Sequence, residues 1–334
     1  MTQRALITGI GGFAAGYLAA HLFDCGDAVL GTDFEMRHDR RGTLFWDLSL
    51  PEGPSPETVR AIREFSPTVI YHLAAVSIPA DCGLDEPTAA AIAVNVEGTR
   101  RVVELAASLP SRPRLLFTSS SYVYGKADPR QPVVGETAPT VPRRGYGKSK
   151  LAAERIILAA VEEGRLDAVI ARSFQHTGPK QGPRMMLPEW AAQCAGFINE
   201  GGRITCRREA TPETPIEVHT QNAHVDVVDV RDTVRAYRML AEEGERGGIY
   251  NVGSGRGRRT GDILAMLLEI SGTRRPVVEL RGGVKYDPIA DLSRIRSLGW
   301  EPEILIEETV AAVWHYWEGC GTERILQVES EGRR

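Results

Sequence analysis

Ala5-Leu6-Ile7-Thr8-Gly9-Ile10-Gly11-Gly12-Phe13-Ala14-Ala15-Gly16 is the stretch that decides the fold. A short apolar run breaks at once into glycines. A helical pattern follows, with Tyr17, Leu18, His21 and Leu22 at helical spacing. Gly9 allows a sharp turn, Gly12 lets the backbone approach a ligand, and Ala15 or Gly16 lets the helix pack close to the strand. The first turn of that helix offers unpaired N–H groups and the positive end of its dipole, which suits a pyrophosphate. A glycine-rich turn with no ligand is the plain alternative. The strand-turn-helix context favours the ligand.

Reading outward, 28–33 forms a second strand ending in Asp33, where a dinucleotide fold places the carboxylate that accepts the adenosine ribose hydroxyls. An acid there repels a 2′-phosphate, so NAD(H) is favoured over NADP(H), although Arg37, Arg40 and Arg41 follow closely. Residues 44–48 read as a third strand, with Asp47 in reach of an adenine, and a helix over 57–65 leads to a strand over 68–73. The small residues Ala74, Ala75, Val76 and Ser77 end that strand and would let a cofactor lie against the backbone. A long helix over 88–109 carries Asn95. The strand over 114–118 runs into Ser119, Ser120, Ser121, Tyr122, Val123, Tyr124 and Gly125. Hydroxyls at the carboxyl end of a parallel strand sit where such sheets bind ligands. A proline-rich loop over 126–144, a helix over 146–163 and a strand over 168–172 complete the alternation.

This alternation implies an α/β fold, a doubly wound parallel sheet covered on both faces. After residue 173 the pattern loosens. Residues 174–179 read as a loop, 187–200 as a helix, and 203–226 as short strands and loops. Helices follow over 230–243, 260–271 and 305–318, and the strand over 248–253 returns to the sheet. The dinucleotide-binding domain is therefore expected over 1–173, with 226–253 returning to it. A smaller, interleaved α/β substrate lobe is expected over 174–225 and 254–334, its last dozen residues loose. Met185, Met186 and Trp190 read as core or as pocket lining.

Tyr146-Gly147-Lys148-Ser149-Lys150 carries the chemistry. Its spacing puts a phenol and an ammonium on one helix face. Free tyrosine, with a pKa of about 10, is too weak an acid to serve as a base at neutral pH, and a nearby cation is expected to lower it. A surface Tyr and Lys sharing a helix is the bland reading, and the surrounding pattern argues against it.

Composition bounds the rest. The 334 residues are 42% hydrophobic and 25% charged, with a net charge of −4, which argues against nucleic acid as a partner. Cys25, Cys82, Cys194, Cys206 and Cys320 are odd in number and scattered, with no CxxC pair. They suit a reducing compartment and no zinc site. No HExxH occurs, so no metal is expected. No leader pattern precedes the first strand and no apolar run reaches membrane-spanning length, so the chain reads as cytoplasmic, with no membrane partner.

Taken together, these marks resemble the extended short-chain dehydrogenase/reductase family, in the branch that remodels nucleotide-activated sugars. The marks are Thr8-Gly9-x-x-Gly12-Phe13-x-Ala15, Asp33, His72-Leu73-Ala74-Ala75, Asn95, Ser120 ahead of Val123-Tyr124-Gly125, Tyr146 with Lys150, Arg172 leading to His176-x-Gly178-Pro179, the run over 226–237, and Tyr250-Asn251-Val252-Gly253. Within the branch the resemblance points to reductases of GDP-4-keto-6-deoxy-mannose. It implies that Tyr146 is the acid/base, that Lys150 binds the nicotinamide ribose and lowers the Tyr146 pKa, and that Ser120 bonds the reacting sugar oxygen. It further implies cofactor contacts from Gly9, Gly12, Phe13, Ala15, Asp33, Asp47, Leu48, Leu73, Ala74, Ala75, Asn95, Tyr146 and Lys150. Ser77, Ser121, Gln175, His176 and Arg281 would touch the substrate, although Gln175 stands where the family usually has Asn. Related 4,6-dehydratases need an acid where Tyr122 stands, so dehydration is discounted. A nucleotide-sugar 4-epimerase and a non-catalytic, cofactor-bound sensor or scaffold are the alternatives to a reductase. The family also implies a homodimer through helices 88–109 and 148–163.

Overall fold

The structure is a computed structural model that describes residues 2–35, 42–200, 203–205 and 208–320. Arg37, Arg40, Arg41, Cys206, Arg207 and the last dozen residues lie outside these ranges. The first half alternates as its hydrophobic pattern dictates. It runs β1 (Arg4–Thr8), α1 (Phe13–Asp24), β2 (Ala28–Asp33), β3 (Thr43–Phe45), α2 (Pro56–Phe65) and β4 (Val69–His72). Then come α3 (Ala89–Ala91) and α4 (Thr99–Ser108), joined by a π-helical turn at Ile92–Gly98, followed by β5 (Arg114–Ser120), β6 (Val133–Val134), α5 (Gly145–Glu162) and β7 (Asp167–Ser173). The second half holds β8 (Gln175–Thr177), α6 (Met186–Cys194), β9 (Ile216–Val218), β10 (Ala223–Asp229), α7 (Val230–Glu243), β11 (Ile249–Val252) and β12 (Gly257–Arg259). It ends with α8 (Thr260–Ser271), β13 (Val277–Glu279), β14 (Lys285–Tyr286), β15 (Ile289–Ala290), α9 (Ser293–Arg296) and α10 (Ile306–Glu318).

Seven parallel strands form one sheet in the order β11-β7-β5-β4-β1-β2-β3. The middles of β4 (Val69–Tyr71) and β5 (Leu115–Phe117) are buried runs because helices cover both faces. One face packs Ile7, Leu18, Tyr71 and Leu116 against α1 and α7, and the other packs Leu6, Ile70, Phe117 and Ile157 against α4 and α5. The sequence order reverses between β1 and β4, where open α/β sheets bind ligands beyond their carboxyl ends. A second sheet, β12-β10-β14 with β8 on β10, lies in the C-terminal part. Its core of Trp190, Phe197, Val225, Leu264 and Trp317 packs under α6, α8 and α10.

Three readings change. Residues 174–179, read as a loop, contain β8, which pairs with β10 from Gln175 to Thr177. The helix read over 187–200 stops at Cys194, because Gly196 takes a left-handed φ of +91°. The helix read as continuous over 88–109 is interrupted by the π turn that carries Asn95. Trp190 is 2% exposed and belongs to the core.

Buried polar groups tie these layers together. Asp226 is closed in by Ser254, Gly255 and Ala290, whose N–H groups donate to its carboxylate at 2.7, 3.1 and 3.0 Å. Glu154 of α5 and Arg172 of β7 form a buried, two-pronged ion pair at 3.0 and 2.8 Å. Arg172 also reaches Tyr124, whose hydroxyl donates to Asn251 of β11 at 2.7 Å.

His72 bridges β1 and α4. One ring nitrogen meets Thr8 Oγ1 at 2.7 Å, and the other meets Thr99 Oγ1 at 2.9 Å. Thr99 spends its proton on the Asn95 carbonyl at 2.7 Å, so it must accept from His72 Nε2–H. His72 Nδ1 is then left to accept from Thr8. Each hydroxyl and nitrogen is satisfied only when the ring is neutral.

Burial agrees, pushing the His72 pKa down to about 3, with Lys150 adding to the shift. Between about pH 6.5 and about pH 3 the unfolded chain takes up a proton here that the folded chain refuses, so stability falls as the pH drops through that window. From pH 7 to about pH 5 this one residue removes about 2 kcal/mol. Urea unfolding at the two pH values should show a smaller loss in His72→Gln than in the wild type, whatever its absolute stability. An equal loss in both would mean that the ring is not held neutral.

Candidate functional site

The glycine turn sits at the carboxyl end of β1. Gly9 has a φ of +70°, and a Cβ there would lie 2.7 Å from Ala74 Cα. Only glycine meets both demands. The N–H groups of Gly9 and Ile10 both donate to the Thr32 carbonyl, which folds the turn back over β2. Gly12 is exposed and caps α1 without a side-chain partner, so the first-turn donors of that helix face outward. Ala15 is buried, whereas a Cβ on Gly16 would meet nothing, so the close packing falls to Ala15.

Asp33 ends β2 beside this turn and accepts the Gly11 N–H at 2.6 Å. One carboxylate oxygen therefore shapes the turn. Asp47 accepts from the N–H and hydroxyl of Ser49 at 2.8 and 2.7 Å, making a local turn. Leu48 is buried, and its carbonyl accepts from Arg101 at 2.9 Å. Leu73, Ala74 and Ala75 line the end of β4, half-buried, with the Ala74 N–H on Thr8 Oγ1 at 3.4 Å. Phe13 stacks on His176 with centroids 6.2 Å apart, and Tyr17 donates to the Pro179 carbonyl at 2.9 Å. These contacts join the glycine turn to the segment after β8. Burial lowers the His176 pKa.

Asn95 clamps the opposite wall. Its side chain accepts from the Val76 N–H at 2.8 Å and donates to the Val76 carbonyl at 3.1 Å and to Ser149 Oγ at 3.0 Å. It thereby fixes the segment after β4 to α5. The π turn aims this side chain inward, a use common at functional sites.

Lys150 lies one turn along α5 from Tyr146 and is 2% exposed. Its ammonium donates to the Thr118 carbonyl at 2.9 Å and sits 4.9 Å from the centre of the Phe117 ring. Burial pulls its pKa down to about 8, opposed by Cys82 and Glu154. Tyr146 behaves differently from the expectation that Lys150 makes it acidic. Burial raises its pKa well above the ordinary phenol value, the Cys82 thiol adds to the rise, and a hydrogen bond with Ser120 only partly opposes it. Loss of hydration outweighs the other influences on the phenol. A raised pKa leaves Tyr146 protonated at neutral pH, able to donate a proton. Ser120 is itself fixed, since its Oγ accepts the Tyr122 N–H at 3.2 Å.

Tyr146, Ser120 and Lys150 therefore converge, with Asn95 behind them. Ser121 is buried beside Ser120. Ser77 is exposed on the segment after β4, Gln175 is half-buried on β8, and Arg281 is exposed after β13, its N–H donating to the His219 carbonyl at 2.9 Å. Three neighbours of Tyr146 carried no signal in spacing or composition. Tyr122 packs edge-on at 5.6 Å. Cys82 is fully buried, donates to the Val76 carbonyl at 3.1 Å, and has its pKa pushed up to about 11 by burial. Tyr237 pairs with Ser173 at 2.6 Å and adds to the field on Tyr146. Contacts this distant along the chain follow from the fold alone. No group of three or more His, Cys, Asp or Glu able to hold a metal occurs among the described residues.

Comparison with known proteins agrees with this fold. GDP-6-deoxy-D-mannose reductase of Pseudomonas aeruginosa is 26% identical over 328 residues, covering 95% of this chain and 98% of that protein. UDP-glucose 4-epimerase of Azospirillum brasilense is 25% identical over 321 residues, covering 90% of this chain and 88% of that protein. Among solved structures, RMD from Pseudomonas aeruginosa complexed with NADPH superposes with a TM-score of 0.75 at 26% identity, covering 96% of this chain and all of that one. Residues 5–253 match the NAD dependent epimerase/dehydratase family, and the chain belongs to that family.

Proposed function

We propose that this protein is an NAD(P)-dependent oxidoreductase that reduces the 4-keto group of a nucleotide-activated, 6-deoxy hexose. The observation that carries this reading is the placing of a half-buried Tyr146 in hydrogen-bonding reach of Ser120, with the buried Lys150 one turn away on the same helix. Ketone reduction needs a proton delivered to the carbonyl oxygen as the adjoining carbon gains hydride. A nicotinamide cofactor supplies the hydride when bound. Ser120 and Tyr146 would hold the ketone oxygen from two sides, and Tyr146 would give up its proton there. Lys150 would hold the nicotinamide ribose, and its charge would stabilise the phenolate left behind.

The residues present fit a dinucleotide. The turn over Gly9–Gly12 and the open first turn of α1 suit a pyrophosphate, Asp33 suits a ribose, and Ala74 and Ala75 leave room along the backbone. Phe13, Ala15, Asp47, Leu48, Leu73 and Asn95 would complete this cradle, and Ser77, Ser121, Gln175, His176 and Arg281 would meet the sugar nucleotide. Asp33 at the end of β2 supports NAD(H) over NADP(H). In the proposed division 1–173 with 226–253 hold the dinucleotide and 174–225 with 254–334 hold the sugar, except that 226–229 of β10 pair within the second sheet and only α7 and β11 go with the seven-stranded one. Two copies would pair through helices 88–109 and 148–163, as the family resemblance implies, which sedimentation velocity would detect. Cys25, Cys82 and Cys194, each a free thiol, support a cytoplasmic setting.

A 4-epimerase is the second reading, favoured by the likeness to UDP-glucose 4-epimerase. Tyr146 would then accept a proton as well as give one.

The test is incubation with a panel of nucleotide sugars, with and without NADH or NADPH, reading product masses and cofactor absorbance. Reduction should consume one NADH for each GDP-4-keto-6-deoxy-mannose converted. Turnover that needs no added cofactor would instead mark the epimerase. Tyr146→Phe should lower kcat by about a hundredfold or more, with cofactor binding unchanged, and wild-type rates in that variant would refute the role of the phenol. In the same assay, Asp33→Ala should weaken NADH more than NADPH. Equal losses would remove the ribose contact.

A further inference from the structure

Asp81 and Arg184 stand 103 residues apart and meet side by side, Arg184 Nη1 donating to Asp81 Oδ2 at 2.8 Å and Nη2 to Oδ1 at 2.7 Å. This is the planar fork-to-fork geometry that gives an arginine–carboxylate pair its directionality. The segments it joins decide its meaning. Asp81 lies in a short 3₁₀ turn, Pro79–Cys82, four residues after Ser77. That turn is seated on the start of α5: a Cβ on Gly145 would clash with the Cys82 carbonyl, and the Gly145 N–H donates to the Gly83 carbonyl at 3.2 Å. Cys82 acts on the charges of both Tyr146 and Lys150. The turn is thus a wall of the Tyr146 site.

Arg184 comes from the other side. It stands just ahead of α6, in the stretch that follows His176 and Pro179, which are themselves held against Phe13 and Tyr17 of α1. No strand pairing joins Pro79–Cys82 to the segment ahead of α6. The ion pair bridges the two segments, and its side chains are 38% and 41% exposed.

We propose that Asp81 and Arg184 form a strap across the mouth of the Tyr146 cleft that slows escape of the bound nucleotide sugar. The pair positions the two walls and touches no reacting atom. An ion pair this exposed holds weakly and is screened by salt. That suits a fastening that must open at each turnover. The substrate part of the proposal rests on the reductase reading above, and the fastening itself does not.

Two measurements separate them. Amide hydrogen exchange in the free protein should quicken over 76–83 and 180–186 in both Asp81→Asn and Arg184→Gln, with α10 and the seven-stranded sheet unchanged. The charge-swapped double variant, Asp81→Arg with Arg184→Asp, should restore slow exchange in both segments. Exchange that stays at wild-type rates in the single variants, or that quickens in only one segment, would overturn the strap. With GDP-4-keto-6-deoxy-mannose and NADH, each single variant should raise KM about two- to fivefold, with kcat unchanged or higher. The wild-type KM should move the same way when ionic strength rises from about 0.05 M to about 0.5 M, and the swapped pair should recover. A fall in kcat at constant KM would show that the pair supports the chemistry instead of retention and would overturn the proposal. If no nucleotide sugar turns over at all, the reductase reading fails while the exchange result still decides whether the strap exists.

Discussion

A buried ammonium is the constraint on which the site depends. Removing a charge of that size from water costs several kcal/mol unless it is paired, yet Lys150 has no carboxylate in contact among the described residues. It is held by the Thr118 carbonyl and the face of Phe117. Such an arrangement weakens the fold, and strongly perturbed groups of this kind gather where chemistry is done. The surrounding structure keeps the ammonium in place. β5 supplies both partners, α5 supplies the lysine, and Asn95 fastens α5 to the segment after β4 through Ser149 and Val76. The neutral His72, beside the same cation, links that segment to β1 and therefore to the glycine turn.

From this the division of labour follows. The lysine keeps its proton at neutral pH because its pKa, though lowered, stays at about 8. The phenol keeps its proton because burial outweighs every favourable interaction offered to its anion. A neutral donor beside a fixed cation is the state required to give a proton to a carbonyl oxygen. Ser120 is fixed by the Tyr122 backbone and can serve the same oxygen from another side. The glycine turn, with Gly9 forced into a left-handed turn against Ala74, sets the distance at which a dinucleotide would lie.

The sheet was legible in the sequence because parallel strands buried on both faces read as apolar runs set between helical patterns. Residues 5–12 and 146–150 could be placed because their meaning is local: a glycine needed for a positive φ, and a phenol and an amine one turn apart. What depends on packing was not legible. The pKa of Tyr146 was expected to fall and instead rises, since the neighbour at i+4 was visible and the loss of hydration was not. β8 was read as a loop because three residues carry no periodicity until β10 comes to pair with them. The π turn around Asn95, the Cys82 contact and the Asp81–Arg184 pair all arise from partners far apart along the chain.

The central claim is that a protonated Tyr146 delivers its proton while hydride reaches the adjoining sugar carbon. Reduction of GDP-4-keto-6-deoxy-mannose with NADH deuterated at the transferable position tests it most directly. The account predicts one deuterium at C4 of the product sugar, with one oxidised cofactor formed per product and no such product from Tyr146→Phe. Product without deuterium, or labelled product made at the wild-type rate by Tyr146→Phe, would contradict it.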